Sequence, residues 1–292
     1  MRLLHLAAVS NETGTPRRGA NAAEGSIAQV PTWLWGEWSR DWIQRGEVKS
    51  NTLDIHYLQT PTYFADMRMP RDQPALSGAK SFGDLSDEQL LLLTRQNGFT
   101  GHTTVEANVA IWHHDIDFRP SDGTPDTGRL ERITPTQMLE YAVDGSYIES
   151  WRSQASGKGK FLVIRVERSG RLLRTLVLVG NQFVYVRNRA QDLPTACSFE
   201  SLINATNATR AQIVEYLDCE FSVGRVQGES KPWVIEQSTL PWRVGQRLDF
   251  IEQLSSINGG GGLTPVKIDG NQWTVPVNSL SACEIKALFH SA

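Results

Sequence analysis

Most of the chain consists of short segments in which apolar and polar residues alternate. A period of two marks strands that bury one face. In the first half Asp54 to Thr60, Tyr63 to Met69, Gly101 to Glu106, Val109 to Phe118, Leu130 to Ile133, Met138 to Val143 and Tyr147 to Trp151 read this way. Phe161 to Glu167, Leu172 to Val179 and Gln182 to Arg187 form the clearest meander, turning at Arg168 to Arg171 and at Gly180-Asn181. Further strands are expected within Ile213 to Val226, Trp233 to Ser238 and Gln272 to Val275. Helical signals are few. Ser86-Asp87-Glu88-Gln89 is a capping box ahead of Leu90 to Leu93, with Asn97-Gly98 read as a left-handed stop. Ser198 to Ala205 predicts a second short helix, and Thr134 to Gln137 is open between a strand link and the cap of a third. The pattern predicts a mainly β chain of two antiparallel barrels packed together, with a few short helices.

Punctuation divides the chain. Residues 1–30 lack periodicity and read as a flexible segment. Residues 31–153 are the first barrel, 159–277 the second, and 278–292 a C-terminal tail. The polar stretch Ser153 to Lys160 is the expected link, and the glycine run Asn258 to Gly262 a flexible loop.

Composition narrows the functional classes. The net charge of −3 offers no excess of cations for phosphates, so nucleic acid is not an expected partner. Cys197, Cys219 and Cys283 are sparse and odd in number, which fits a reducing compartment. The opening Met1 to Val9 is too short an apolar run, and His5 interrupts it, for an export signal. No stretch approaches the roughly 18 apolar residues of a spanning helix. The expected location is the cytoplasm, and no membrane partner is expected. Nucleotide, flavin, zinc-protease and serine-nucleophile motifs are all missing, so no cofactor and no metal is expected.

Candidate chemistry lies in the first half. Gly36-Glu37-Trp38 stands where lipocalins place a tryptophan that plugs the closed end of the barrel. Along Tyr63 to Pro70, alternation puts Phe64, Asp66 and Arg68 on one face and Tyr63, Ala65, Met67 and Met69 on the other. Along Ile111 to Pro120 it puts Trp112, His114, Ile116 and Phe118 together as a ligand-facing surface. His113, Asp115, Asp117 and Arg119 are then left on a solvated face, and the adjacent histidines cannot readily share a metal. Tyr147, Glu149 and Trp151 share a third face, a carboxylate between aromatics, where apolar surroundings raise a carboxyl pKa. Asp66 with Arg68, and Glu149 with an arginine such as Arg68 or Arg152, also fit plain structural ion pairs.

The order of Gln59 to Pro70, Gly98 to Gly101, Trp112 to Pro120, Pro125 to Gly128 and Tyr147 to Trp151, with the meander Phe161 to Arg189, resembles the Hri1-like family of yeast and its many uncharacterised bacterial relatives. The resemblance spans roughly residues 31–275 and is most specific in the first half. It implies two lipocalin-like barrels and supplies no established catalytic residues.

The functional expectation is a cofactor-independent lyase or isomerase that works by acid–base catalysis on a small apolar or aromatic molecule. His114, Asp66 and Glu149 would be its acid–base set, Arg68 the anchor of an oxyanion or carboxylate, and Trp112, Tyr147 and Trp151 the walls. The alternative is a lipocalin-like protein that only binds such a ligand. A homodimer is left open.

Overall fold

A computed structural model describes residues 30–76, 78–154, 159–226, 233–248 and 266–290. The lead-in, the glycine run and the core of the expected link, residues 155–158, lie outside the described residues.

The first half is a closed barrel. β1 (Gly36–Arg45) is flanked on one side by β2 (Val48–Ser50) and β3 (Leu53–Gln59), which act as one interrupted strand. β4 (Tyr63–Pro70), β5 (Asn97–Glu106), β6 (Val109–Asp117), β7 (Asp126–Thr134), β8 (Gln137–Ala142) and β9 (Ile148–Ser153) follow as an antiparallel meander. β9 returns to pair with β1, so eight staves close on themselves and leave no edge in the wall. α1 (Asp87–Leu93) is an excursion between β4 and β5. Its Ser86–Gln89 capping box is formed, and Leu90 and Leu93 are buried. Asn97-Gly98 does not stop this helix. Thr94 caps it, and Asn97 already pairs with Arg68 across β4 and β5. Ala107 and Asn108 take positive φ in the tight turn between β5 and β6. Thr134 to Gln137 is the turn between β7 and β8.

The second half is a seven-stranded sheet. Its strands are β10 (Phe161–Arg168), β11 (Arg171–Val179), β12 (Gln182–Arg187), β13 (Glu220–Arg225), β14 (Val234–Ser238), β15 (Val266–Ile268) and β16 (Asn271–Asn278), ordered 14-13-12-11-10-16-15. Among the described residues the edge strands β14 and β15 do not pair, so the expected second closed barrel is a sheet there. Between β12 and β13 lie α2 (Phe199–Thr206) and α3 (Arg210–Leu217). Residues 213–217, expected as strand, are therefore helical, because Thr209 and Gln212 form a capping box at that point. The segment expected as a tail carries α4 (Ala282–His290), whose Ile285 and Leu288 pack on Trp233 and Trp273 beneath the sheet.

The two units share one core. Outward-facing Leu58, Ala65, Met67, Ile116 and Phe118 of the barrel meet Phe161, Val163, Val177, Val184 and Phe221 of the sheet. Burying such side chains stabilises by roughly 1.5–3 kcal/mol each, which holds the units as one body. Arg189, almost fully buried, reaches across this interface and donates to the carbonyls of Asp117 and Phe118. It thereby fixes the end of β6, where the barrel wall changes character.

Among the described residues no helix is long and apolar enough to cross a membrane. All three cysteines are unpaired, with Cys219 buried and Cys197 and Cys283 exposed.

Candidate functional site

The barrel interior has two zones. One end is filled by Val30, Leu34, Trp38, Phe64, Leu130 and Met138. Trp38 donates to the Leu34 carbonyl at 2.8 Å, so the tryptophan plug is anchored as well as packed. The rest of the lumen is a cavity of about 490 Å³. Its inner wall is Tyr57, Trp112 and Trp151, and exposed Ser121, Asp122, Thr124 and Cys197 border its mouth. All seven residues singled out from the sequence line it: Asp66, Arg68, Trp112, His114, Tyr147, Glu149 and Trp151. So do Arg40, Asp117, Arg119, Asp126 and Glu140, which the sequence reading did not select.

The placement of β6 corrects that reading. Thr100 pairs with Ile116 but Gly101 pairs with His114, so Asp115 is the extra residue of a β-bulge. Up to His114 the even-numbered residues face the lumen. Beyond the bulge the faces exchange, so Asp117 and Arg119 line the cavity while Ile116 and Phe118 join the core between the units. Asp115 instead pairs with Arg165 of the second sheet at 2.7 Å, and His113 stacks on His102 outside the wall, ring centroids 4.5 Å apart.

The bulge supplies His114 with its partners. Nδ1 lies 2.6 Å from Asp117 Oδ1, Nε2 lies 3.1 Å from Asp126 Oδ2, and the ring stacks on Phe99 at 4.4 Å. Burial lowers the histidine pKa, but the two hydrogen-bonded carboxylates outweigh it and raise it to about 9. At neutral pH His114 is a fixed cation with both nitrogens engaged. The folded value lies above the ordinary 6.5, so this stabilisation is complete below about pH 6.5 and disappears as pH rises through about 9. His114→Gln is expected to lose on the order of 2–3 kcal/mol at pH 6 and much less at pH 9.5. Urea denaturation at the two pH values checks this, and an equal loss at both would contradict it.

The carboxyls separate into unlike environments. Asp66 is held by Arg68 through a two-point contact, 2.9 Å at both Nε and Nη2. Burial lowers the Arg68 pKa, yet the Asp66 carboxylate beside it brings the balance out upward. Glu149 is ion-paired with Arg40, both side chains almost fully buried, across the seam where β9 meets β1. Neither Arg68 nor Arg152 is its partner; Arg152 pairs with Asp41 on the outside of that seam. Glu140 faces Glu149 in the β8–β9 register. Its Oε1 accepts from the Tyr147 hydroxyl at 2.9 Å, and no arginine or lysine is ion-paired with it among the described residues. Burial, followed by the Glu149 charge, pushes the Glu140 carboxyl up to about 8. Burial and both glutamates push the Tyr147 phenol upward too. Gly128 on β7, in register with Ala142, makes room for Glu140, since a Cβ there would fall 2.8 Å from its side chain.

The aromatic wall is tied by hydrogen bonds. Trp112 Nε1 donates to the Tyr57 hydroxyl at 3.0 Å, and that hydroxyl donates to Gln59. Arg40 Nε and Trp151 Nε1 are buried donors with no hydrogen-bond partner among the described residues. Among the described residues no group of three or more His, Cys, Asp or Glu side chains is disposed to hold a metal ion. Alternation alone could have found Glu140, since Met138, Glu140 and Ala142 form one strand face. Asp126 stood in a motif already noted. Asp117 and Arg119 were hidden by the bulge, and Arg40 by the tryptophans around it.

The chain is similar to the crystal structure of an uncharacterised protein, YLR301w, from Saccharomyces cerevisiae. The two share 11% sequence identity at a TM-score of 0.48, over 83% of this chain and 98% of that one. No family model and no curated protein matches the chain.

Proposed function

We propose that the barrel is a cofactor-independent acid–base catalyst, a lyase or isomerase acting on a small molecule with an apolar or aromatic body. The supporting observation is the Glu140–Glu149 pair, two facing carboxyls of which one is ion-paired with arginine and the other is held against a phenol. Carboxyls in such unlike surroundings divide into a proton donor and a proton acceptor. Glu140 gives a proton to one atom of the substrate and Glu149 withdraws one from another, which is the balance of an isomerisation or an elimination. Arg68 and the His114 cation stabilise the oxyanion that develops, and Trp112 and Trp151 hold the apolar body. Asp66 orients Arg68. His114 thereby serves as a fixed charge, and Glu140 takes over the proton transfer that sequence alone assigned to the histidine.

The test is exchange in D2O. The protein is incubated with a panel of small aryl and alkyl carbonyl compounds and acids, and carbon-bound deuterium is followed by NMR. Turnover or exchange is expected in the parent and should fall by about 10²–10⁴-fold in Glu140→Gln. The same variant should be the more stable at high pH. The folded Glu140 value lies above the ordinary 4.5, so its contribution to stability falls as pH rises from about 4.5 through about 8. At pH 9 Glu140→Gln is expected to gain on the order of 1 kcal/mol or more over the parent. Unchanged exchange in Glu140→Gln contradicts the proposal.

A second reading is a protein that only binds its ligand. The commitment of both His114 nitrogens to carboxylates favours it, because those bonds fix charge instead of moving protons. Compounds that bind without any exchange would support it.

A further inference from the structure

We infer that the mouth of the lumen is a carboxylate-binding subsite formed by Arg119 and Arg68, so that the ligand is a small organic acid whose apolar body lies against the tryptophans. The inference rests on the barrel being the ligand site, and not on any proton transfer within it.

Two arginines come together from the two staves that flank β5. Arg68 on β4 pairs in register with Asn97 on β5. Arg119, just past β6, donates from Nε to the carbonyl of Gln96 at 2.7 Å and from Nη2 to that of Arg95. Both guanidiniums therefore sit at the same end of the same sheet segment, and both line the cavity. Every other arginine in the lumen except Arg45 has its carboxylate: Arg40 has Glu149, and Arg68 has Asp66. Arg119 has none among the described residues, and only backbone carbonyls hold it. Burial, with the charge of Arg68 adding to it, lowers its pKa, as two like charges sharing one space would.

Such a placement is costly unless an anion completes it. The free edges point to a carboxylate. Nη1 of Arg119 and Nη1 of Arg68 make no protein hydrogen bond among the described residues, while the remaining nitrogens fix each plane. Rigid guanidinium planes with donors left over match the flat, two-oxygen acceptor of a carboxylate. Beyond them the wall turns aromatic, with Phe99 under Arg68 at 4.8 Å and Trp112 and Trp151 deeper in. A cavity of about 490 Å³ suits a head group with one ring or a short chain.

The experiment is calorimetric titration of the intact protein with phenylacetate, its neutral amide phenylacetamide, and inorganic phosphate. Phenylacetate is expected to bind, the amide at least 10-fold more weakly, and phosphate more weakly than phenylacetate because it leaves the aromatic wall uncovered. Arg119→Gln should lose at least 10-fold in phenylacetate affinity, and Arg119→Lys should recover part of it. If Arg119→Gln is too unstable to titrate, the Nε–H resonance of Arg119 in the parent serves instead, and it should shift on saturation with phenylacetate. Equal binding of acid and amide, a preference for phosphate, no binding of phenylacetate at tens of millimolar, or full affinity in Arg119→Gln would each overturn the subsite. Phenylacetate binding that depends on Arg119, together with unchanged exchange in Glu140→Gln, would overturn the catalytic reading and leave the subsite standing, so the two fail separately.

Discussion

Gly101→Ala is expected to destabilise the protein by at least ~3 kcal/mol and to dismantle the polar half of the lumen. A Cβ at Gly101 would lie 1.8 Å from the His113 carbonyl oxygen, 2.9 Å from its carbon and 3.0 Å from the Asp115 nitrogen. All three are backbone atoms of the bulge, so no side chain can rotate away. The alternatives are to part β5 from β6 or to remove the bulge. Without it the residues beyond Asp115 would exchange faces, drawing Ile116 and Phe118 out of the core between the units and turning Asp117 away from His114. Urea denaturation measures the loss, and the His114 ring resonances report whether its raised pKa survives. A Gly101→Ala protein within 0.5 kcal/mol of the parent, its histidine unchanged, would refute the role given to the bulge.

Arg40→Met is expected to cost about 3–5 kcal/mol at pH 7, because it leaves the Glu149 carboxylate buried and unpaired at the closing seam. Two carboxyls would then face each other, Glu140 and Glu149, with their guanidinium neighbour removed. The double variant Arg40→Met, Glu149→Leu should recover most of that loss, since replacing both members of a buried pair by apolar groups is far milder than removing one. Comparing both single variants, the double variant and the parent by denaturation gives the coupling between the residues. Additive losses would mean that the pair contributes nothing across the seam. Arg152→Ala, which removes the exposed partner of Asp41 on the outer side of the same seam, should cost less than about 1 kcal/mol.

Local sequence determined a good deal of this protein. Alternation on β4 assigned Asp66 and Arg68 to one face and Tyr63, Ala65, Met67 and Met69 to the other, and those are the lumen and the core between the units. The Ser86–Gln89 capping box located α1, the Ser198 to Ala205 segment was legible as α2, and the Gly36-Glu37-Trp38 signal located the plug. These features depend on dihedral preferences and side-chain period over a few residues, which a single segment carries within itself. Tertiary structure decided the rest. The bulge at Asp115 needs a glycine fourteen residues earlier on a neighbouring strand, and no pattern within β6 announces it. The partner of Glu149 is Arg40, 109 positions away, because closure of the barrel sets the first strand beside the last. The neutral tendency of Glu140 comes from burial and a facing carboxylate, both properties of the closed lumen. Whether the second sheet meets itself depends on pairings between distant edges, and alternation within its strands reads the same in an open sheet as in a closed one.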